Sequence, residues 1–233
     1  MTIKANTIHS KERRDEMTFE QDYFENRKYP LKEKLVRRHV LAVLQWASKA
    51  GGDNLLKGEG RRALDVGSAY GYTSNVLTGL GYETVGTDIS TWGTKQAKKR
   101  SGDQFLVCDA QTNMPFKAGV FDLVTCFDVL EHLPYPETAL RSMFETCKGV
   151  VVCTTPNKKV EKPIRKFMRD YDETHISVKS PLQWKEIIGG KLECKAFSVD
   201  AFYDLAVWLR GKLFFKSFSI PTYGLTIRIV VKK

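Results

Sequence analysis

Two regions of the chain hold the residues best suited to chemistry. Asp128-Val-Leu-Glu-His132 places two carboxylates and an imidazole within one turn of chain, directly after an apolar run over 121–127. A second imidazole, His175, lies in Asp172-Glu-Thr-His-Ile-Ser177. Such groups can remove a proton from a hydroxyl as general bases. Asp128, Glu131, His132 and His175 could equally serve Mg²⁺, Mn²⁺ or Zn²⁺ as oxygen and nitrogen ligands. The other stretch is Arg62-Ala-Leu-Asp-Val-Gly-Ser-Ala-Tyr-Gly-Tyr-Thr73, followed by Glu83-Thr-Val-Gly-Thr-Asp-Ile89. A strand that breaks into a glycine turn brings backbone N–H groups close to a ligand, because glycine lacks the Cβ that blocks approach. The acid that ends the second run, Asp88, suits hydrogen bonding to the two hydroxyls of a ribose. The pair points to a nucleoside-containing cofactor.

Alternating strands and helices are needed to place these groups on one edge. The pattern predicts a helix over 32–49, then β 63–66, α 71–80, β 84–88, α 91–100, β 104–108, β 121–127, α 136–147 and β 149–154. Ser180-Pro181 opens a further helix that stops at Gly189-Gly190, and 191–199 and 225–231 read as closing strands. Short β-branched strands alternating with helices imply a parallel, doubly wound sheet, which binds ligands outside the strands' carboxyl ends. All the stretches named above fall on that edge. The expected fold is α/β: a Rossmann-like, mostly parallel seven-stranded sheet, helices on both faces and an antiparallel C-terminal strand. Residues 1–60 read as an arm and helix belonging to the same domain as 61–233. The arm over 1–21 reads as mobile or as a frayed helix, and His39 as a surface or packing residue of the first long helix.

The loop Gly67-Ser-Ala-Tyr-Gly-Tyr72 lacks two glycines of a dinucleotide fingerprint, which argues against a pyrophosphate cradle. Asp65-x-Gly67-x-Ala69-x-Gly71 instead resembles motif I of class I S-adenosylmethionine (SAM) methyltransferases, with Ala69 where that family has glycine. Gln104-Phe-Leu-Val-Cys-Asp-Ala110 is similar to the family's third strand and its adenine-contacting acid, and 121–133 to its fourth strand and following loop. The resemblance implies SAM as cofactor, held by Asp65, Gly67, Ala69, Gly71, Asp88, Ile89, Asp109, Ala110 and Phe127. It also implies that aromatic residues ahead of the first helix, here Tyr23, Phe24 and Tyr29, close over the cofactor. The set Asp128, Glu131, His132 and His175 resembles the E-x-x-E-H plus distal histidine of plant small-RNA 2′-O-methyltransferases, where it holds a divalent metal, and of ubiquinone-biosynthesis O-methyltransferases. Asp128 is one methylene shorter than the glutamate of that pattern, and Glu-His-Leu after the fourth strand is common among enzymes of this fold that hold no metal, so a metal-free base, His132 or His175, is favoured over a metal.

The acceptor is narrowed by what is missing. Phe127-Asp-Val-Leu130 stands where amino-methylating enzymes of bases carry N/D-P-P-Y/F, and Thr155-Pro156-Asn157 has no cysteine for attack on a pyrimidine. Hydroxyls or amines of a small molecule, lipid or glycan come first, and an RNA ribose second. A non-catalytic SAM-binding protein is the rival from another class. Thirty-seven Lys and Arg against 27 Asp and Glu give a formal charge of +10, which would suit RNA or an anionic membrane face. The basic run 158–171 adds to that case. No apolar run approaches the ~20 residues of a membrane-spanning helix. Five cysteines without a C-x-x-C pair read as buried thiols in a reducing compartment, so the cytoplasm is expected. The stretch 201–221, rich in aromatics, reads as an amphipathic helix and loop packed on the domain, ahead of an acceptor pocket or an interfacial patch on lipid.

Overall fold

The computed structural model describes residues 19–102, 104–112, 114–167 and 172–233. The expected arm over 1–21 lies almost wholly outside them, as do 168–171 of the basic run. Five strands form the parallel part of the sheet: β1 (Arg62–Val66), β2 (Glu83–Asp88), β3 (Phe105–Val107), β4 (Phe121–Phe127) and β5 (Cys147–Pro156). Three more follow: β6 (Ala196–Leu209), β7 (Lys212–Ser219) and β8 (Thr226–Lys232). The order is β3-β2-β1-β4-β5-β8-β6-β7, with β8 antiparallel to β5 and β6, and β7 antiparallel to β6. The strand order reverses between β1 and β4, where a doubly wound sheet opens its ligand crevice.

The helices are α1 (Gln21–Asn26), α2 (Glu33–Gly51), α3 (Tyr72–Gly79), α4 (Thr91–Ser101), α5 (Pro136–Thr146), α6 (Glu161–Phe167) and α7 (Pro181–Lys191). On one face Val40, Val43, Leu44 and Ala47 of α2 and Val76 and Leu77 of α3 pack on Ala63, Leu123, Val150 and Val152. On the other, Leu140 and Met143 of α5 and Trp184 and Ile188 of α7 pack on Leu64, Val124, Val151 and Cys153. Successive residues of β5 therefore serve opposite cores, which is why the strand reads as a continuous apolar run. Each fully buried aliphatic side chain contributes roughly 1.5–3 kcal/mol. The N-terminus of α7 is a capping box, as Ser180-Pro181 foretold: Gln183 N–H donates to Ser180 Oγ (3.3 Å) and Ser180 N–H to Gln183 Oε1 (2.9 Å).

The carboxyl-terminal third departs from the sequence expectation. The sheet has eight strands rather than seven, because 201–221 is no helix. It extends β6 and returns as β7 through Arg210-Gly211, both at positive φ (50° and 75°), the pairing required by a two-residue hairpin turn. The strand expected over 191–199 begins only at Ala196, since α7 runs through Gly189 and Gly190 to Lys191.

Candidate active site

The carboxyl edge of β1, β2 and β4 opens into a cleft of about 460 Å³. All the residues expected to hold SAM line it except Gly71. The turn after β1 is shaped by its neighbours. Gly67 has φ +77°, and a Cβ there would sit 2.1 Å from Val129 Cγ2. Gly71, at φ +78°, lies beneath the loop, where a Cβ would meet the Phe105 ring at 2.9 Å. Ala69 adopts φ +47°, which explains why the related motif carries glycine at this position.

Asp88 ends β2 beneath this loop. Its Oδ2 accepts from Ala69 N–H (2.7 Å) and its Oδ1 from Ser90 N–H (2.8 Å). It thus fixes the left-handed turn and leaves each oxygen a further lone pair for a ligand hydroxyl. Burial raises its pKa, and the two backbone donors partly offset that. Asp65 is buried; Ser74 Oγ donates to it at 2.6 Å and Thr125 Oγ1 at 3.0 Å. Desolvation prevails over these donors and raises its pKa to about 6. Ile89 is 43% exposed beside the crevice, an apolar surface suited to a purine ring. Asp109 Oδ1 accepts from Gln111 N–H at 2.9 Å, shaping the turn after β3.

The expected aromatic cover is present. Phe19, Tyr23, Phe24 and Tyr29 line the cleft, with Tyr29 stacked on Tyr72 at 5.4 Å. The segment is tied at both ends. Glu20 accepts from Thr91 N–H (3.1 Å) and Trp92 N–H (2.9 Å) at the N-terminus of α4, where backbone donors lack helical partners. Arg27 pairs with Asp172 at 2.6 Å.

Elsewhere on the cleft wall, the loop after β4 passes through Asp128 at φ +54° into a single 3₁₀ turn, Leu130–His132. The turn brings ligand atoms of Glu131, His132 and His175 within 4.8 Å of one another. Asp128 stands outside that group, its Oδ1 accepting from Thr154 Oγ1 at 3.2 Å, so the expected set of four contracts to three. Thr174 Oγ1 donates to Asp172 Oδ1 (2.6 Å) and lies 2.8 Å from His132 Nδ1, whose proton it therefore accepts. This leaves the lone pair of His132 on Nε2. Burial, and then His175, lower the His132 pKa to about 4, so the ring is neutral at pH 7. His175 Nδ1 meets Glu161 Oε1 at 2.5 Å, and its Nε2 faces Asp172 Oδ2 (3.6 Å) and Glu131 Oε1 (3.9 Å). Burial opposes ionisation of Asp172, but donation from Thr174, then His175 and Arg27, holds its pKa below the usual carboxylate range.

The sequence reading gave His39 no place at the cleft. Its ring packs on Phe202 and Phe127, as a packing residue would, and also lines the cleft wall, with Asp204 of β6 at 2.7 Å. The available signal was a histidine in register with Val36, Val40 and Val43 on the buried face of α2.

A family model for a methyltransferase domain matches residues 27–189, more than half of the chain. This chain belongs to the class I SAM-dependent methyltransferase family. Among relatives, it is 32% identical over 109 residues to a ubiquinone biosynthesis O-methyltransferase of Burkholderia multivorans. That match covers 44% of this chain and 47% of the relative, so the methyltransferase spans about half the length of the curated relatives it matches. A SAM-dependent methyltransferase structure from Thermotoga maritima superposes with TM-score 0.64 at 20% identity, covering 91% of this chain and 97% of its own. Magnesium protoporphyrin IX methyltransferase from Synechocystis, solved with bound S-adenosylhomocysteine, gives 0.55 at 19% identity, covering 84% of each. At these identities the two structures share the fold.

Proposed function

We propose that this methyltransferase transfers a methyl group from SAM to a hydroxyl of a small, largely apolar molecule. The observation that carries the reading is the single cleft that joins the Asp88 crevice to the Glu131, His132 and His175 cluster. The O-methyltransferase names of its relatives support a hydroxyl over an amine. Bound SAM supplies a methyl group already activated by its sulfonium, leaving the protein to align, dehydrate and deprotonate the acceptor. Asp88 would hold the ribose and Ile89, Asp109 and Ala110 the adenine, while Asp65 and Gly71 hold the loop's shape. Glu131, His132 and His175, with Asp128 beside them, form the polar wall against which the acceptor oxygen is oriented. His132 is neutral there, and the aromatic cover excludes water.

The donor chemistry of Glu131, His132 and His175 also fits a divalent cation. Glu161 orients His175 and Thr174 orients His132, as partners behind metal ligands do. A cation there would act as a Lewis acid on the acceptor oxygen. The functional test is to incubate the protein with SAM and a panel of hydroxylated aromatics and follow S-adenosylhomocysteine. No product with any hydroxyl acceptor, from protein that binds SAM, would favour the non-catalytic alternative.

One feature favours an apolar acceptor delivered at a membrane surface. The outer face of the β6–β7 hairpin exposes Leu205, Val207, Leu209, Phe214 and Phe218, interleaved with Lys212 and Lys216. Apolar side chains among lysines suit an anionic lipid surface. Flotation with phosphatidylglycerol vesicles, lost in Phe214→Asp, tests the contact. Among the described residues no helix is long and apolar enough to cross a membrane. An RNA acceptor would instead show binding that weakens steeply with salt. All five cysteines are free thiols, as a cytoplasmic setting allows.

A further inference from the structure

His39 and Asp204 belong to none of the motifs described above, yet both line the cleft beside Phe127, Asp128, Ala206 and Phe215. His39 Nδ1 lies 2.7 Å from Asp204 Oδ2, and the ring stacks on Phe202 and meets the edge of Phe127, each at 5.9 Å. Because the carboxylate accepts the Nδ1 proton, Nε2 carries the lone pair. That Nε2 is shielded from solvent and, among the described residues, has no hydrogen-bond partner; the same holds for Asp204 Oδ1. An orphaned polar atom of this kind costs free energy and is satisfied when a ligand donates to it.

We propose that His39 is the base that takes the acceptor's hydroxyl proton, and that Asp204 is the residue that positions its ring. The inference rests on the reading of this cleft as a site of methyl transfer to a hydroxyl. The hydroxyl proton passes to His39 Nε2, an oxygen lone pair forms the O–CH₃ bond, and the CH₃–S bond breaks with its electron pair returning to sulfur. The sulfonium charge is lost as the imidazolium charge appears beside Asp204. The charged groups facing the ring are Asp204 from β6, Asp128 from the loop after β4 and Arg228 from β8. Burial disfavours the imidazolium, but hydrogen bonding to Asp204 and the charges of Asp128 and Asp204 outweigh burial and Arg228, so its pKa is raised. A raised pKa makes the imidazole a stronger base toward the acceptor's hydroxyl proton. The dyad also explains a role for the hairpin: β6 carries Asp204 into the cleft on the face opposite its exposed apolar stripe.

The test uses the full chain, SAM and two probes: catechol, un-ionised at neutral pH, and 4-nitrocatechol, largely ionised there. His39→Gln should lower kcat/KM for catechol by about 10²- to 10⁴-fold, while the rate with 4-nitrocatechol stays close to that of the unmodified protein. Asp204→Asn should lower the catechol rate by a smaller factor and move the rising limb of its pH–rate profile to lower pH, since the imidazolium loses its carboxylate. Calorimetry should show unchanged SAM affinity in both variants. Equal losses on both probes, or no loss on either, would overturn the assignment. If the unmodified protein binds SAM but methylates neither probe, catechols are not its acceptors, and the dyad is then judged by NMR titration of His39. A midpoint above the ordinary histidine value that falls in Asp204→Asn supports it; equal midpoints in the two proteins overturn it.

Discussion

Gly67→Ala probes the turn on which the cofactor site is built. The substitution meets two separable obstacles. Gly67 has φ +77°, a region that costs an L-residue roughly 1–2 kcal/mol. Its new Cβ would also lie 2.1 Å from Val129 Cγ2, well inside van der Waals contact, and overpacking of this kind costs about 1–3 kcal/mol. A total of about 2–5 kcal/mol follows from adding these two ranges. Equilibrium urea denaturation of Gly67→Ala should show that loss, and calorimetry should show weakened SAM binding as the loop is displaced. The double variant Gly67→Ala/Val129→Ala separates the causes, because it removes the clash and keeps the backbone strain. Its stability should exceed the sum of the single effects by about 1–3 kcal/mol, the clash term alone. A Gly67→Ala protein within about 0.5 kcal/mol of the original, the scatter of an ordinary surface change, would refute the geometry of this turn. Strictly additive single effects would refute the role of Val129.

Three further outcomes are expected. Asp88→Ala should weaken SAM binding by about 1–3 kcal/mol, since the ribose loses a charged acceptor and Ala69 N–H its partner; unchanged affinity by calorimetry would remove Asp88 from the site. Asp65 has a folded pKa of about 6, above its unfolded value, so its stabilising contribution is complete below about pH 4 and lost as pH rises through 6. The loss, on the order of 3 kcal/mol for two pKa units, should appear as a difference between the original chain and Asp65→Asn in urea titrations at pH 4 and pH 7.5. Exhaustive chelation should leave S-adenosylhomocysteine formation intact; turnover abolished by EDTA and restored by Mg²⁺, Mn²⁺ or Zn²⁺ would make Glu131, His132 and His175 metal ligands.

The sequence by itself determined the parallel half of the sheet and most of the residues that line the cleft at its carboxyl edge. Strands buried on both faces give mostly apolar runs such as 121–127 and 149–154, and three of the strands end in a residue or turn whose chemistry is local: the glycine turn after Val66, Asp88 after Thr87, Asp128 after Phe127. Nothing distant is needed to recognise those signals, so they were legible. The β6–β7 hairpin was not, because both of its faces carry apolar side chains. Ala206, Trp208, Leu213 and Phe215 occupy one face and Leu205, Val207, Leu209 and Phe214 the other, which erases the alternation that marks a strand. Its turn, Arg210-Gly211, was the overlooked cue. Tertiary structure alone decided which polar groups meet. It joined His39 to Asp204 across 165 positions, set Arg27 on Asp172, placed Glu161 behind His175, and turned Asp128 away from the cluster its neighbours form. Each pairing depends on where whole elements pack against one another, and a hydrogen bond of 2.7 Å is a far finer condition than the burial pattern that folds the chain.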